Sequence, residues 1–197
     1  MNAFFERFQG LRDILSIAGF ILAVFVGAAL INLTLFRSFS VIGPSMEPTM
    51  FTGDRLIINR LPHTWAFLTG KDYIPPRGQV IVFRNPNWFP GGADEYVVKR
   101  VIAFPGERVT VTDGIMRVYN DQNPNGILVD ELHPGPVGPT SGTIDTTVTE
   151  GELFVSGDHR QGDYSLDSRN GLGTISYGYV IGPVTMRIFP FTSFRLF

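Results

Sequence analysis

Tyr96-Val97-Val98-Lys99-Arg100-Val101-Ile102 is a run of β-branched and aromatic residues, too short for a typical helix and well suited to a pleated, buried surface. Similar runs recur on both sides of it: Arg55-Leu-Ile-Ile-Asn59, Gln79-Val-Ile-Val-Phe83, Arg108-Val-Thr-Val-Thr112, Met116-Arg-Val-Tyr119 and Glu152-Leu-Phe-Val-Ser156. Turn clusters separate them at Gly53-Asp54, Pro75-Pro76-Arg77-Gly78, Pro90-Gly91-Gly92, Asp113-Gly114 and Gly157-Asp158. Short strands joined this way predict a mainly β chain with an antiparallel sheet. Asp113-Gly114, between two such runs, is the clearest hairpin turn. From Asn120 to Thr149 the turn residues crowd together, as in Asn123-Pro124-Asn125-Gly126 and Pro134-Gly135-Pro136, and predict loops around short strands.

Upstream the pattern changes. Residues 14–36, ILSIAGFILAVFVGAALINLTLF, are apolar except for Ser16, Asn32 and Thr34, and about 20 such residues cross a bilayer as a helix. A buried core helix or the apolar part of a signal peptide is shorter than this. Arg7, Arg12 and the amino terminus precede the span, against Glu6 and Asp13, which leans toward a cytoplasmic N-terminus. The expected organisation is a short cytoplasmic tail at 1–13, a transmembrane helix at 14–36, and an extracytoplasmic β-rich domain at 37–197 with a loop-rich stretch at about 120–149. Trp65, Phe67 and Leu68 fall in an expected loop from Leu61 to Lys71, and Trp88-Phe89 in another. These aromatics either dip into the membrane interface or pack as ordinary core.

The composition removes several classes of function. With a net charge of -2 and no run of Lys or Arg, the chain has no electrostatic footprint for nucleic acid. It has no cysteine, hence no disulfide, thiolate chemistry or Cys-ligated zinc. No H-E-x-x-H or paired carboxylates at metal spacing appear, so no metal site is expected.

The stretch with catalytic character is Gly43-Pro44-Ser45-Met46-Glu47-Pro48-Thr49-Met50, where a serine sits in a backbone restrained by prolines just beyond the apolar segment. A serine hydroxyl is a weak nucleophile until a base lies within reach. Neither G-x-S-x-G nor S-x-x-K is present. His63, His133 and His159 lie in turn-rich or proline-flanked contexts and read as solvated loop histidines. Lys71 and Lys99 remain. Lys71 is in a polar loop, whereas Lys99 stands among valines, where it either faces solvent on an edge strand, the commoner arrangement, or is held in a desolvated site. Desolvation would lower its pKa from about 10.4 toward 7–8, where the neutral amine accepts a serine proton.

At this point the sequence resembles the bacterial-type (type I) signal peptidases in several ordered blocks. Ser45-Met46-Glu47-Pro48-Thr49 is similar to the family's S-M-x-P-T nucleophile motif, and Lys99-Arg100-Val101-Ile102-Ala103-Phe104-Pro105-Gly106-Glu107 to its lysine motif. Thr52-Gly53-Asp54-Arg55, Arg77-Gly78-Gln79-Val80-Ile81-Val82-Phe83, Gly157-Asp158-His159-Arg160 and Ser165-Leu166-Asp167-Ser168-Arg169-Asn170-Gly171 resemble the others, as does the closing run from Ile181 to Pro190. Gln79, Ala103 and His159 stand where the family more often has aspartate, glycine and asparagine.

The resemblance implies a membrane-bound Ser/Lys endopeptidase that removes signal peptides from exported preproteins after a small-x-small site. Ser45 would be the nucleophile and Lys99 the general base. Ser165 would orient the lysine, with Asp167, Arg169 and Arg100 as the supporting polar network. The oxyanion hole would use backbone at Ser45 and Gly43, since Gly43 replaces a serine that some relatives carry. Phe39, Val41, Ile42, Met46, Met50, Val82, Val97 and Val98 would line the substrate pockets. No cofactor is implied; the expected partners are signal peptides, membrane lipid and, by proximity, the export machinery. The expected location is the cell membrane, single-pass, with the catalytic domain on the outer face. The competing reading is a catalytically silent, membrane-anchored β-domain that binds exported chains.

Overall fold

The computed structural model describes residues 9–92, 95–133, 135 and 137–197; residues 1–8 of the expected tail, and Pro134 and Pro136 of one expected turn, lie outside them. The chain opens with helix α1 (Gln9–Thr34), and the stretch Arg12–Ile31 is long and apolar enough to cross a membrane. None of that stretch is buried against the rest of the protein.

β1 (Phe36–Ser40) follows at once and pairs with β2 (Arg55–Asn59). The remaining strands are β3 (Val80–Arg84), β4 (Tyr96–Ala103), β5 (Arg108–Thr112), β6 (Ile115–Asn120), β7 (Asn123–Leu128), β8 (Ile144–Thr147), β9 (Glu152–Ser156), β10 (Ile175–Ser176), β11 (Val180–Phe189) and β12 (Arg195–Leu196). One sheet has the order β1-β2-β11-β3-β4-β9-β10, with β12 also on β11, and a second has the order β7-β6-β5-β8. Every strand pair in both is antiparallel. All six apolar runs read from the sequence are strands. The β5–β6 connection is Asp113-Gly114, both with positive φ (52° and 78°), as a tight hairpin whose twist matches its strands requires.

Two local readings are corrected. The expected loop from Leu61 to Lys71 contains helix α2 (Leu61–Thr69). Pro62 falls in its first turn, where a missing N–H costs nothing, and Gly70 closes it in the left-handed region at φ 66°. Trp65, Phe67 and Leu68 are 70–79% exposed, so they are not core. Asn123-Pro124-Asn125-Gly126, expected as loop, lies in β7. That strand is at the edge of its sheet, where a proline that cannot donate to a ladder is tolerated.

The register of the main sheet prepares the site. Lys99 stands opposite Ile81 and Arg100 opposite Val80. Successive side chains on a strand point to opposite faces, so the two cations of β4 are sent in different directions. Lys99 shares its face with Val97 and Val101, and Val101 packs in a cluster with Ile81, Phe83, Val155 and Val180.

Candidate active site

β1 delivers the chain to the site. Val41 exchanges backbone hydrogen bonds with the turn behind it, through its N–H to Asp54 O at 2.8 Å and its O from Gly53 N–H at 2.9 Å. Gly43 then reverses direction at φ 88°, a conformation that favours glycine. Its N–H is donated to Thr52 Oγ1 at 3.0 Å, so that donor is committed to the turn and not presented as half of an oxyanion hole. Residues 44–49 fold into tight turns, with Glu47 N–H on Pro44 O and Thr49 N–H on Met46 O. Ser45 crowns them, half-buried, and its N–H has no hydrogen-bond acceptor among the described residues.

Lys99 reaches this serine across 54 residues of sequence. Its Nζ is hydrogen-bonded to Ser45 Oγ at 2.8 Å and to Val98 O at 2.9 Å, and the residue is only 3% exposed. Of the two arrangements open for a strand lysine, the desolvated one is observed. On the far side of Ser45, His159 donates its N–H to Ser45 O at 3.1 Å. Gly157 fills the angle between. A Cβ there would fall 2.2 Å from Ser165 Oγ and 2.4 Å from Ser45 O, so the close approach of the two serine segments requires a residue without a side chain.

Two buried carboxylates support the arrangement. Asp167 accepts from Ser165 Oγ at 2.8 Å, from Gly157 N–H at 2.9 Å and from Arg169 Nη2 at 2.7 Å. Asp158 accepts from Arg100 Nε at 2.8 Å and Nη2 at 2.6 Å and from Thr49 Oγ1 at 2.6 Å, with His133 Nε2 3.1 Å away. Burial pushes the Asp158 carboxyl up, but hydrogen bonds from Arg100, His133 and Thr49 and the Arg100 charge outweigh it and hold the group well below the usual carboxylate range.

Beyond Gly43, the sequence reading is corrected in three places. Arg100 does not join Asp167 and Arg169; its place on the opposite face of β4 from Lys99 sends it to Asp158. His133 is not a solvated loop histidine, since its side chain is 2% exposed. Met46 and Met50 do not line a pocket: both are fully buried against Leu56, Ile58 and Val80, where they anchor the serine turn to the sheet. Asp158, Thr49 and Gly157 carried no assigned role, because Gly157-Asp158 read as a turn and Thr49 as part of a motif. The motif blocks around them were the available signal; for His133 there was none.

Beside Ser45 and Lys99 lies a cleft of about 270 Å³ lined by Phe39, Val41, Ile42, Val82, Val97 and Val98. Tyr96, Tyr164 and Leu166 also face it and were not anticipated. Tyr164 stacks on the His159 ring at a centroid distance of 4.6 Å. The lining of the cleft is mostly apolar, with Ser40, Asn85 and Lys99 among the polar residues that face it.

The family model for "Signal peptidase, peptidase S26" matches residues 14–189. The chain is 31% identical over 179 residues to a signal peptidase I of Bacillus licheniformis, covering 89% of this chain and 88% of that one. It is 30% identical over 195 residues to a signal peptidase I of Bacillus amyloliquefaciens, covering 96% of each. A solved signal peptidase I of Enterococcus faecalis V583 aligns over 57% of this chain and 97% of its own, at a TM-score of 0.41 and 26% identity.

Proposed function

We infer the function from one premise: the chain belongs to the signal peptidase (peptidase S26) family, matched over nearly its whole length. It is a hydrolase of the serine endopeptidase type that removes signal peptides. The reading of its mechanism rests on a single observation, the 2.8 Å hydrogen bond between Ser45 Oγ and a lysine amine that is almost wholly excluded from water.

Burial disfavours an ammonium, so the Lys99 amine is suited to act as a base near neutral pH. Ser45 Oγ attacks the scissile carbonyl carbon as Lys99 Nζ takes the hydroxyl proton, forming the new C–O bond. The negative charge then on the carbonyl oxygen is stabilised by the open Ser45 N–H. Collapse breaks the peptide C–N bond, and the Lys99 ammonium returns the proton to the leaving amine. Water then adds to the acyl carbon as Lys99 takes its proton; the ester C–O bond breaks, the Lys99 ammonium returns that proton to Ser45 Oγ, and the new carboxyl terminus leaves. Val98 O holds Nζ from one side. Ser165, whose proton is donated to Asp167, keeps its oxygen free to accept, which suits the role of orienting a lysine N–H, while Arg169 fixes Asp167. The cleft takes the small side chains of a small-x-small cleavage site.

The helix α1 anchors the enzyme as a single span, with the β domain on the extracytoplasmic face beside the export machinery. Arg60 N–H donates to Leu35 O at 2.7 Å, tying the start of α2 to the residue that follows α1. That contact, with the exposure of Trp65, Phe67 and Leu68, supports a place for these side chains in the lipid interface, an environment in which tryptophan is favoured.

The test is cleavage of a synthetic precursor with an Ala-x-Ala site by detergent-solubilised protein. Wild type is expected to cut after the second alanine, and Ser45→Ala and Lys99→Ala to be inactive. Near-normal activity in Lys99→Ala would move the base elsewhere. A wild type that binds the precursor without cutting it would favour the silent binding domain.

A further inference from the structure

The proposed mechanism leaves His133 without a role, although its buried side chain contacts the turn that carries Ser45. It follows the 3-10 turn Val129–Leu132, which continues from β7 of the second sheet. Its Nε2 lies 2.7 Å from Thr49 Oγ1 and 3.1 Å from Asp158 Oδ2. Thr49 donates its one hydroxyl proton to Asp158 at 2.6 Å, so toward the imidazole it can only accept. Nε2 therefore carries a proton, whichever form Nδ1 takes against the Gly135 peptide. Thr49 is part of the turn that carries Ser45: its N–H binds Met46 O, and its own O accepts from Arg187 Nη1 at 3.2 Å. Asp158 in turn grips Arg100, the neighbour of Lys99, and precedes His159, whose N–H holds Ser45 O.

We propose that His133 is a positioning residue of the peptidase, donating Nε2–H to Thr49 and Asp158 so that the serine turn is clamped against the lysine strand from the second sheet. The assignment rests on the Ser45/Lys99 reading. It gives the second sheet a part in catalysis although none of its strands lines the cleft. Without the imidazole, the Thr49–Asp158 pair loses one of its hydrogen-bond anchors and the Ser45 turn gains freedom toward the vacated side. A nucleophile displaced by a fraction of an ångström slows attack far more than it weakens binding, because most of the apolar side chains of the cleft come from β1, β3, β4 and the Tyr164–Leu166 loop and not from the segment that holds His133.

The experiment compares full-length wild type with His133→Ala, His133→Gln, Thr49→Val and the His133→Ala/Thr49→Val double variant in detergent, with kcat and KM measured well below each protein's Tm. His133→Ala is expected to lower kcat by about 10²-fold with KM within about twofold of wild type. His133→Gln, whose side-chain amide can donate from a similar place, is expected to recover most of the rate. The double variant is expected to be no slower than the worse single one, since both remove the same contact. An unchanged kcat in His133→Ala, a parallel rise of KM, equal impairment of the Gln variant, or additive effects in the double variant would each overturn the assignment. Ser45→Ala, run beside them, separates the two levels: if it retains activity, the Ser45 reading fails and the role of His133 falls with it.

Discussion

Asp158 and Asp167 lie in one loop segment, are equally buried, and each pairs with an arginine, but their partners come from different places. Arg100 and Thr49 lie 58 and 109 residues from Asp158, whereas Ser165 and Arg169 are each two residues from Asp167. The first carboxylate joins β4, the Ser45 turn and, through His133, the segment that follows the second sheet's β7. The second shapes the loop it belongs to. Charge and burial are alike, so the difference teaches that the sequence distance of the partners decides whether a buried ion pair braces a loop or clamps a fold.

Breaking the long-range node should have the largest effect. Asp158→Ala leaves Arg100 buried without its carboxylate, which typically costs about 3–5 kcal/mol. Urea unfolding of the solubilised protein checks this, and cleavage activity should fall with it. The node also sets an acid limit. Because the folded Asp158 carboxyl is held below its unfolded value of about 4, its contribution is complete above that pH and fades as pH falls through the folded value. Stability of wild type should therefore drop on the acid side of about pH 4, and Asp158→Asn should flatten that limb in a pH series of unfolding curves.

Gly157 joins the two nodes, since its N–H binds Asp167 and its neighbour is Asp158. Gly157→Ala should push Ser165 and Ser45 apart and lower kcat by about 10²-fold, checked by steady-state kinetics on the Ala-x-Ala precursor. A smaller loss of stability is expected for Asp167→Asn, about 1–3 kcal/mol, because Arg169 keeps its hydrogen bond to Arg160 O and the affected partners remain close in the chain. The smallest effect belongs to an ion pair outside both nodes. Arg108 and Asp145 pair across β5 and β8 with more than half of each side chain exposed, and Asp145→Asn should leave the Tm unchanged within error.

Much of this was legible in the chain because it depends on near neighbours. Runs of β-branched residues marked six of the strands, Asp113-Gly114 marked a hairpin, and the long apolar segment marked a helix. The motif blocks marked Ser45, Lys99 and the Ser165–Arg169 loop. Helix α2 was not legible, since nine residues are too few for a 3.6-residue period to stand out. Nor was the direction of Met46 and Met50: turn residues have no fixed period, so nothing in the sequence says which side of the turn packs on the sheet.

By itself, then, the sequence determined six of the strands, the Asp113-Gly114 hairpin and the apolar helix, which follow from backbone preference and from the apolar pattern of near neighbours, while the family resemblance pointed to the serine turn and to Asp167 and Arg169. The tertiary structure decided that Lys99 is desolvated against Ser45, that Arg100 answers to Asp158, and that the His133 side chain is buried against Thr49 of the Ser45 turn. Those contacts depend on the register of β3 against β4 and on closing loops tens of residues long, and both are settled only when the whole sheet pairs and one face of each strand is taken out of water.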